Sequence, residues 1–268
     1  MTTFETPGKL ALDLEVPAGE LELEATDRTT TEVELEPLDD NDATRGVIER
    51  SRVDLRQRGE GHELVVAVPS ERGFGIRFGR TPQVRLRVRC PQGATVKIRS
   101  RSADVEAQGR FGPTDVRTFS GDIQWDSVEG KASFNSTSGD VQVGSVSGAL
   151  ELKTVSGDAG VGTVGGELKV EGVSGDIRVD GAEGSVTSKS VSGDQRVTVA
   201  EGKIALVSVS GDLEARVRPG SRVFVDANAV SGEVSSELEL SGAAPNGEGP
   251  LVEIRARSVS GDVRIARA

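Results

Sequence analysis

A chain of 268 residues can bury a sizeable core without disulfide or metal staples, and seven Phe, one Trp and no Tyr leave Val, Leu, Ile and Ala to fill it, which suits thin repetitive β-layers. The net charge of -11 and a sequence pI near 4.8 speak against general nucleic-acid binding, which needs a surplus of Lys and Arg. The single Cys90 cannot close an intramolecular bridge, the opening MTTFETPGKLALDL lacks the basic start and apolar run of a secretory leader, and no apolar run reaches membrane-spanning length. The expected compartment is therefore the cytoplasm, with no transmembrane segment and with peripheral membrane contact left open.

From Lys9 to Pro91 the alternating segments KLALDLEV, ELELEA, TEVELEPL, ELVVAV and QVRLRVRC predict strands, separated by Pro, Gly and the polar run DDNDATR. Residues 1–42 hold 13 acidic and 2 basic residues, whereas 70–101 hold 1 acidic and 9 basic, both sets alternating with apolar ones. Acidic and basic strips are expected to face each other across strands. The segment GFGIRFGR mixes Phe74, Ile76 and Phe78 with Arg77 and Arg80. These five residues are the candidate partner-binding set, suited either to covering the first coil or to docking on an acidic protein or an anionic membrane surface. Residues 1–100 read as an irregular β-rich cap, and 101–268 as the body it covers.

That body is periodic. SGD occurs at Ser120, Ser138, Ser156, Ser174, Ser192 and Ser210, with a weaker SAD at Ser102, each step 18 residues long. Each period halves into nonapeptides of the form x-G-x-Φ-x-Φ-x-x-Φ, as in SGDVQVGSV followed by SGALELKTV. Pairs such as Val141 and Val143, or Leu150 and Leu152, point to one face of a short strand. The second glycine of each period, at Gly112, Gly130, Gly148, Gly166, Gly184, Gly202 and Gly220, is expected at a reversal wanting φ > 0. Aligning equivalent positions gives two columns expected to form stacked core: Trp125, Val143, Val161, Val179, Val197, and Val155, Val173, Val191, Val209. The fold class is all-β, a parallel β-solenoid (β-helix) of 18-residue two-strand coils. Hexapeptide helices share the coil length but not the 2, 3, 4 apolar spacing, and the G-G-x-G-x-D motif of calcium β-rolls is absent.

Towards the end the spacing breaks, to 21 residues between Ser210 and Ser231 and 29 between Ser231 and Ser260. The stretch at 235–250, with its Pro and Gly, is expected to leave the coil path. The closing SVSGDVRIARA is expected at an open edge, where Arg264 and Arg267 would discourage end-to-end stacking.

Chemistry is sparse. His62 is the only histidine, so His-based triads and zinc sites have one residue to draw on, and a surface or turn role is expected for it. No glycine run opens a phosphate-binding loop, so no cofactor is expected. The pairs Asp126 with Glu129 and Asp180 with Glu183 would suit polysaccharide cleavage only if they converged. The more regular feature is the ladder Asp104, Asp122, Asp140, Asp158, Asp176, Asp194 and Asp212, one carboxylate per coil. Neighbours about 4.8 Å apart repel by roughly 1 kcal/mol at the dielectric of water. Acceptance of turn N–H groups would offset this; the alternative is a calcium ladder through Asp158, Asp176 and Asp194.

The opening TFETPGKLALDLEVPAGELELEATDR, the turn in CPQGATVKI, the run of VSGD coils and the closing RARSVSGDVRI together resemble a group of bacterial β-strand-repeat proteins of actinobacterial type, classed as candidate adhesins of unassigned function. The resemblance spans nearly the whole chain. It implies a β-helical fold and supplies no catalytic residues. The functional expectation is a non-enzymatic protein-interaction module or scaffold with an unidentified protein partner. The rivals are a calcium-dependent adhesive rod and a polysaccharide-active β-helix.

Overall fold

In a computed structural model the described residues are 1–39, 41–70, 82–238 and 249–268. They hold 23 strands and one helix, arranged as two compact units: Met1–Glu129 with Phe134–Ser136, and Gly130–Ser133 with Thr137–Ala268. The fold is the expected one, almost all β, with parallel strands stacked coil on coil.

The first unit contains β1 (Thr2–Glu5), β2 (Leu10–Thr26), β3 (Thr30–Pro37), α1 (Asp42–Glu49), β4 (Arg52–Arg58), β5 (Gly61–Ala67), β6 (Val84–Pro91), β7 (Thr95–Phe111), β8 (Thr114–Arg117) and β9 (Ile123–Val128); the next strand is β10 (Ala132–Ser138). KLALDLEV and ELELEA, expected as separate strands, are one 17-residue strand that runs through Pro17. Leu10, Leu12, Leu14 and Val16 point inward up to the corner, then Leu21, Leu23 and Ala25 do so, a change of parity. Gly19 makes the change. Its φ is +122°, and a Cβ there would lie 1.9 Å from the Val84 carbonyl oxygen. β7 runs parallel to β2 around the same bend, from Ala11 opposite Thr95 to Glu24 opposite Gln108. Coil stacking thus begins well before the first SGD. The polar run expected as a connector contains a two-turn helix instead, capped by Asn41, whose side chain accepts the Thr44 N–H at 2.7 Å.

The acidic and basic strips do face each other. On the outer surface Arg85, Arg87 and Arg89 of β6 lie between Glu20, Glu22 and Glu24 of β2 and Glu36, Glu34 and Glu32 of β3. Arg85 reaches Glu20 at 2.6 Å and Arg87 reaches Glu22 at 2.7 Å. The hydrogen bond from Arg28, with help from Arg89, holds the Glu32 carboxyl below the usual range, and the Glu22 carboxylate raises Arg87. Inside, Trp125 stacks edge-on between Phe111, at 5.0 Å, and Phe134, at 5.6 Å.

The second unit has two walls. One is β11 (Val141–Val146), β13 (Ala159–Val164), β15 (Ile177–Ala182), β17 (Gln195–Val199) and β19 (Leu213–Val217), interleaved along the chain with β12 (Leu150–Ser156), β14 (Leu168–Glu171), β16 (Val186–Ser192) and β18 (Gly202–Ser210). The chain continues through β20 (Arg222–Ser231), β21 (Val234–Ser236), β22 (Leu251–Ser260) and β23 (Val263–Arg267). Registers are parallel and offset by one period, so Val143, Val161, Val179 and Val197 form one buried column, as expected. Each such side chain contributes about 2 kcal/mol of apolar burial.

The glycine expectation needs correcting. Among the second glycines φ is positive at Gly130, Gly202 and Gly220, but not at Gly112, Gly148, Gly166 or Gly184. There glycine answers to crowding: a Cβ at Gly184 would meet the Gly166 carbonyl oxygen at 2.4 Å.

The final coils are not in chain order. β22 pairs with β18 on one side and β20 on the other, and β23 lies between β19 and β21. The chain builds the outermost coil first and returns to fill the space inside it. The expectation that SVSGDVRIARA forms the open edge is therefore overturned: β23 is paired on both sides, Arg264 is paired with Glu237, and among the described residues the edge belongs to β20 and β21. Most of the 235–250 excursion, residues 239–248, lies outside the described residues.

Candidate functional site

Every SGD turn brings a carboxylate back to the same place in the next coil. The Asp158 N–H donates to Asp140 Oδ1 at 2.8 Å, Asp176 to Asp158 at 2.8 Å, Asp194 to Asp176 at 2.9 Å and Asp212 to Asp194 at 2.8 Å. The ladder continues from Asp262 to Asp212 and from Glu233 to Asp262, both at 2.8 Å, which traces the same out-of-order coils. In the first unit the Asp122 N–H donates to Asp104 Oδ1 at 3.0 Å. Hydrogen bonds to an ionised acceptor are strong enough to offset the repulsion along the row. Asp158, Asp176 and Asp194 each use one oxygen this way. Among the described residues no group of three or more His, Cys, Asp or Glu could hold a metal ion.

One residue before the SGD serines Ser156, Ser174, Ser192, Ser210 and Ser260 stands a second ladder. Val155, Val173, Val191, Val209 and Val259 occupy matching positions in successive coils, and they are exposed, from 42 % at Val173 to 50 % at Val259. Val230 follows them on the outermost coil. The expected second core column is thus an outward stripe. The reason is strand parity. In β12, Leu150, Leu152 and Thr154 point inward, so Val155 points out. The inward corner position goes to small residues, and in two coils the hydroxyl closes the turn: Ser190 Oγ donates to the Ser192 carbonyl at 3.0 Å and Ser208 Oγ to that of Ser210 at 3.1 Å. The other nonapeptide behaves differently, because β11 slips parity after Val143 and buries Val146. Two sequence halves that look alike are not equivalent in space. Counting by twos from Leu150 would have found the stripe; matching the nonapeptides hid it.

Beside the stripe Glu151, Lys153, Lys169 and Glu171 form a charged square, with Lys153 to Glu151 and Lys169 to Glu171 both at 2.9 Å. The adjacent Lys153 lowers the Glu151 carboxyl, and Lys169 lowers that of Glu171. A valine row beside fixed charges suits a protein surface with an apolar strip and a polar margin.

On the opposite wall Asp194, Arg196, Asp212, Glu214, Asp262 and Arg264 edge a shallow concavity of about 610 Å³. Its cations are engaged: Arg196 meets Glu214 at 2.5 Å, and Arg264 meets Glu237. The other sequence candidates are dispersed. Asp126 accepts the Gly109 N–H at 3.1 Å, Glu129 pairs with Arg110 at 3.3 Å, and Asp180 pairs with Arg178 at 2.8 Å, while Glu183 is exposed, so each pair has at least one carboxylate engaged. His62 opens strand β5 half-buried, rather than sitting in a turn, and its Nδ1 finds no partner among the described residues. Cys90 is buried, and desolvation pushes its thiol up to about 12, which removes it as a nucleophile at neutral pH. Phe74, Ile76, Arg77, Phe78 and Arg80 lie outside the described residues. No helix among the described residues is long and apolar enough to cross a membrane.

Fold and site together define a parallel β-solenoid with a repeating outward ladder at each turn. The chain belongs to the Toastrack DUF4097 family, whose pattern it matches over residues 11–266. Two solved structures are similar to it. A "putative cell adhesion protein" from Clostridium sporogenes ATCC 15579 is 13 % identical, with 98 % of this chain and 94 % of that chain covered and a TM-score of 0.26. A "putative adhesin" from Bacteroides fragilis NCTC 9343 is 11 % identical, with 98 % and 95 % covered and a TM-score of 0.46. No curated protein matches the sequence.

Proposed function

We propose that this protein is a non-enzymatic, adhesin-like β-solenoid that works as a protein-interaction module, with the outward valines of its SGD turns as the recognition surface. The observation that carries this reading is the repetition of an exposed aliphatic side chain at one position in successive coils. Solvent-facing strand positions favour polar residues unless something covers them, and an aliphatic row continued from coil to coil offers a protein partner an unbroken apolar strip. Three of the four carboxylates the sequence offered for hydrolysis, Asp126, Glu129 and Asp180, are tied up in ion pairs or a backbone bond, so the enzymatic alternative has less to stand on.

The test is a capture experiment with the intact chain, a Val173→Lys/Val191→Lys variant and a Phe74→Ala/Phe78→Ala variant. A discrete protein held by the first and third and lost by the second is the expected result. Equal capture by all three, or release of reducing sugar from a polysaccharide panel, would refute the proposal.

A further inference from the structure

A solenoid exposes its core at the end of the stack unless something covers it, and among the described residues the second unit ends on β20 and β21. Among the described residues β20 is paired only through β22, so ten residues of strand offer a second, unpaired backbone edge. Val223 and Val225, whose counterparts Val252 and Ile254 in β22 are fully buried, are only half-covered. Phe224 points outward and is 55 % exposed. Such an edge is a template for a further strand, and its sequence says which.

We propose that β20 pairs antiparallel with β20 of a second copy of this chain, across a twofold axis at Phe224. The segment Arg222-Val223-Phe224-Val225-Asp226 reads the same from both ends in apolar character and carries opposite charges at its ends. With Phe224 opposite its own copy, Val223 faces Val225, and each Arg222 faces an Asp226. Of the antiparallel registers that keep inward residues beside inward ones, this one sets both charges against opposite charges. Moving the axis to Asp226 opposes two carboxylates, and moving it to Arg222 opposes two guanidiniums. Both side chains are available for the exchange. Arg222 uses Nε on the Gly249 carbonyl at 3.0 Å and keeps its terminal nitrogens, and Asp226 has a loose contact to Arg257 at 3.8 Å. The interface is isologous, so it closes at two copies and does not propagate into a filament.

The experiment is sedimentation of the full chain over a concentration series, with charge-reversal variants. The wild type should reach twice the 28.0 kDa chain mass, and Arg222→Asp and Asp226→Arg should each stay at one chain mass, because each places like charges opposite. An equimolar mixture of the two single variants should recover the doubled mass, since Asp at 222 and 226 then faces Arg at 226 and 222, and so should the double reversal in one chain. Phe224→Lys, at an outward position with no core role, should also be monomeric and guards against a folding defect in the charge variants. A wild type that stays at one chain mass, single variants that still dimerise, or a mixture that stays monomeric while its components melt like the wild type would each overturn the proposal.

Discussion

Val179 is buried in β15 between Val161 and Val197, while its neighbour Arg178 points outward to Asp180 at 2.8 Å. One step along the strand separates a residue the fold depends on from one it barely notices. Val179→Asp would enclose a carboxylate with no partner, and the expected loss is about 4 kcal/mol or more. Arg178→Asp gives up one exposed ion pair, an effect of about 0.5 kcal/mol. Thermal melts of the two variants by circular dichroism check this, and equal losses would contradict the inward and outward assignment. The same parity argument explains the exposed valines, where sequence matching of the nonapeptides misled. Apolar character alone does not assign a face; the count from the last buried residue does. Gln195 shows the limit of that count: it occupies the column of Ile177 and Leu213, is buried, and satisfies only Nε2, on the Val207 carbonyl at 2.9 Å.

At the scale of the element, the turn is the unit that repeats. Its glycine takes positive φ, from +112° at Gly193 to +126° at Gly211 along the central coils, and has no room for a side chain, while its Asp fastens each coil to the next. A triple Asp158→Asn, Asp176→Asn, Asp194→Asn variant keeps the acceptor at Oδ1 and removes three like charges. Its melting temperature should equal or exceed that of the wild type, and millimolar calcium against chelator should shift neither protein. A calcium-dependent rise in the wild type that vanishes in the variant would instead assign the ladder to a cation. The ladder itself was legible in the sequence as an 18-residue period of Asp. Its bond was not, because the donor belongs to a neighbouring coil rather than to the same turn.

At the scale of the molecule, the order of the last coils decides what depends on what. A chain laid down in sequence order would lose only its final coil on removal of residues 251–268. Here that deletion takes away β22 and β23, the strands that join β20 and β21 to β18 and β19. Hydrogen exchange in the truncated protein should therefore show residues 222–236 unprotected, while β16 keeps its protection. Slow exchange persisting in 222–236 would mean that the outer coil can dock directly.

The sequence by itself determined the solenoid, its period and the buried column through Val179, because each follows from local repetition and two-residue alternation, which need no knowledge of what lies across the fold. It also set the charge match of β2, β3 and β6, since complementary rows have few other places to go. Only the tertiary structure decided that Gly19 bends one strand around a corner, that the VSGD valines face outward and that β20 rather than β23 ends the stack. Those outcomes rest on parity slips at corners and on a return of the chain across 29 residues between matching serines, and both are settled by packing between segments far apart in sequence.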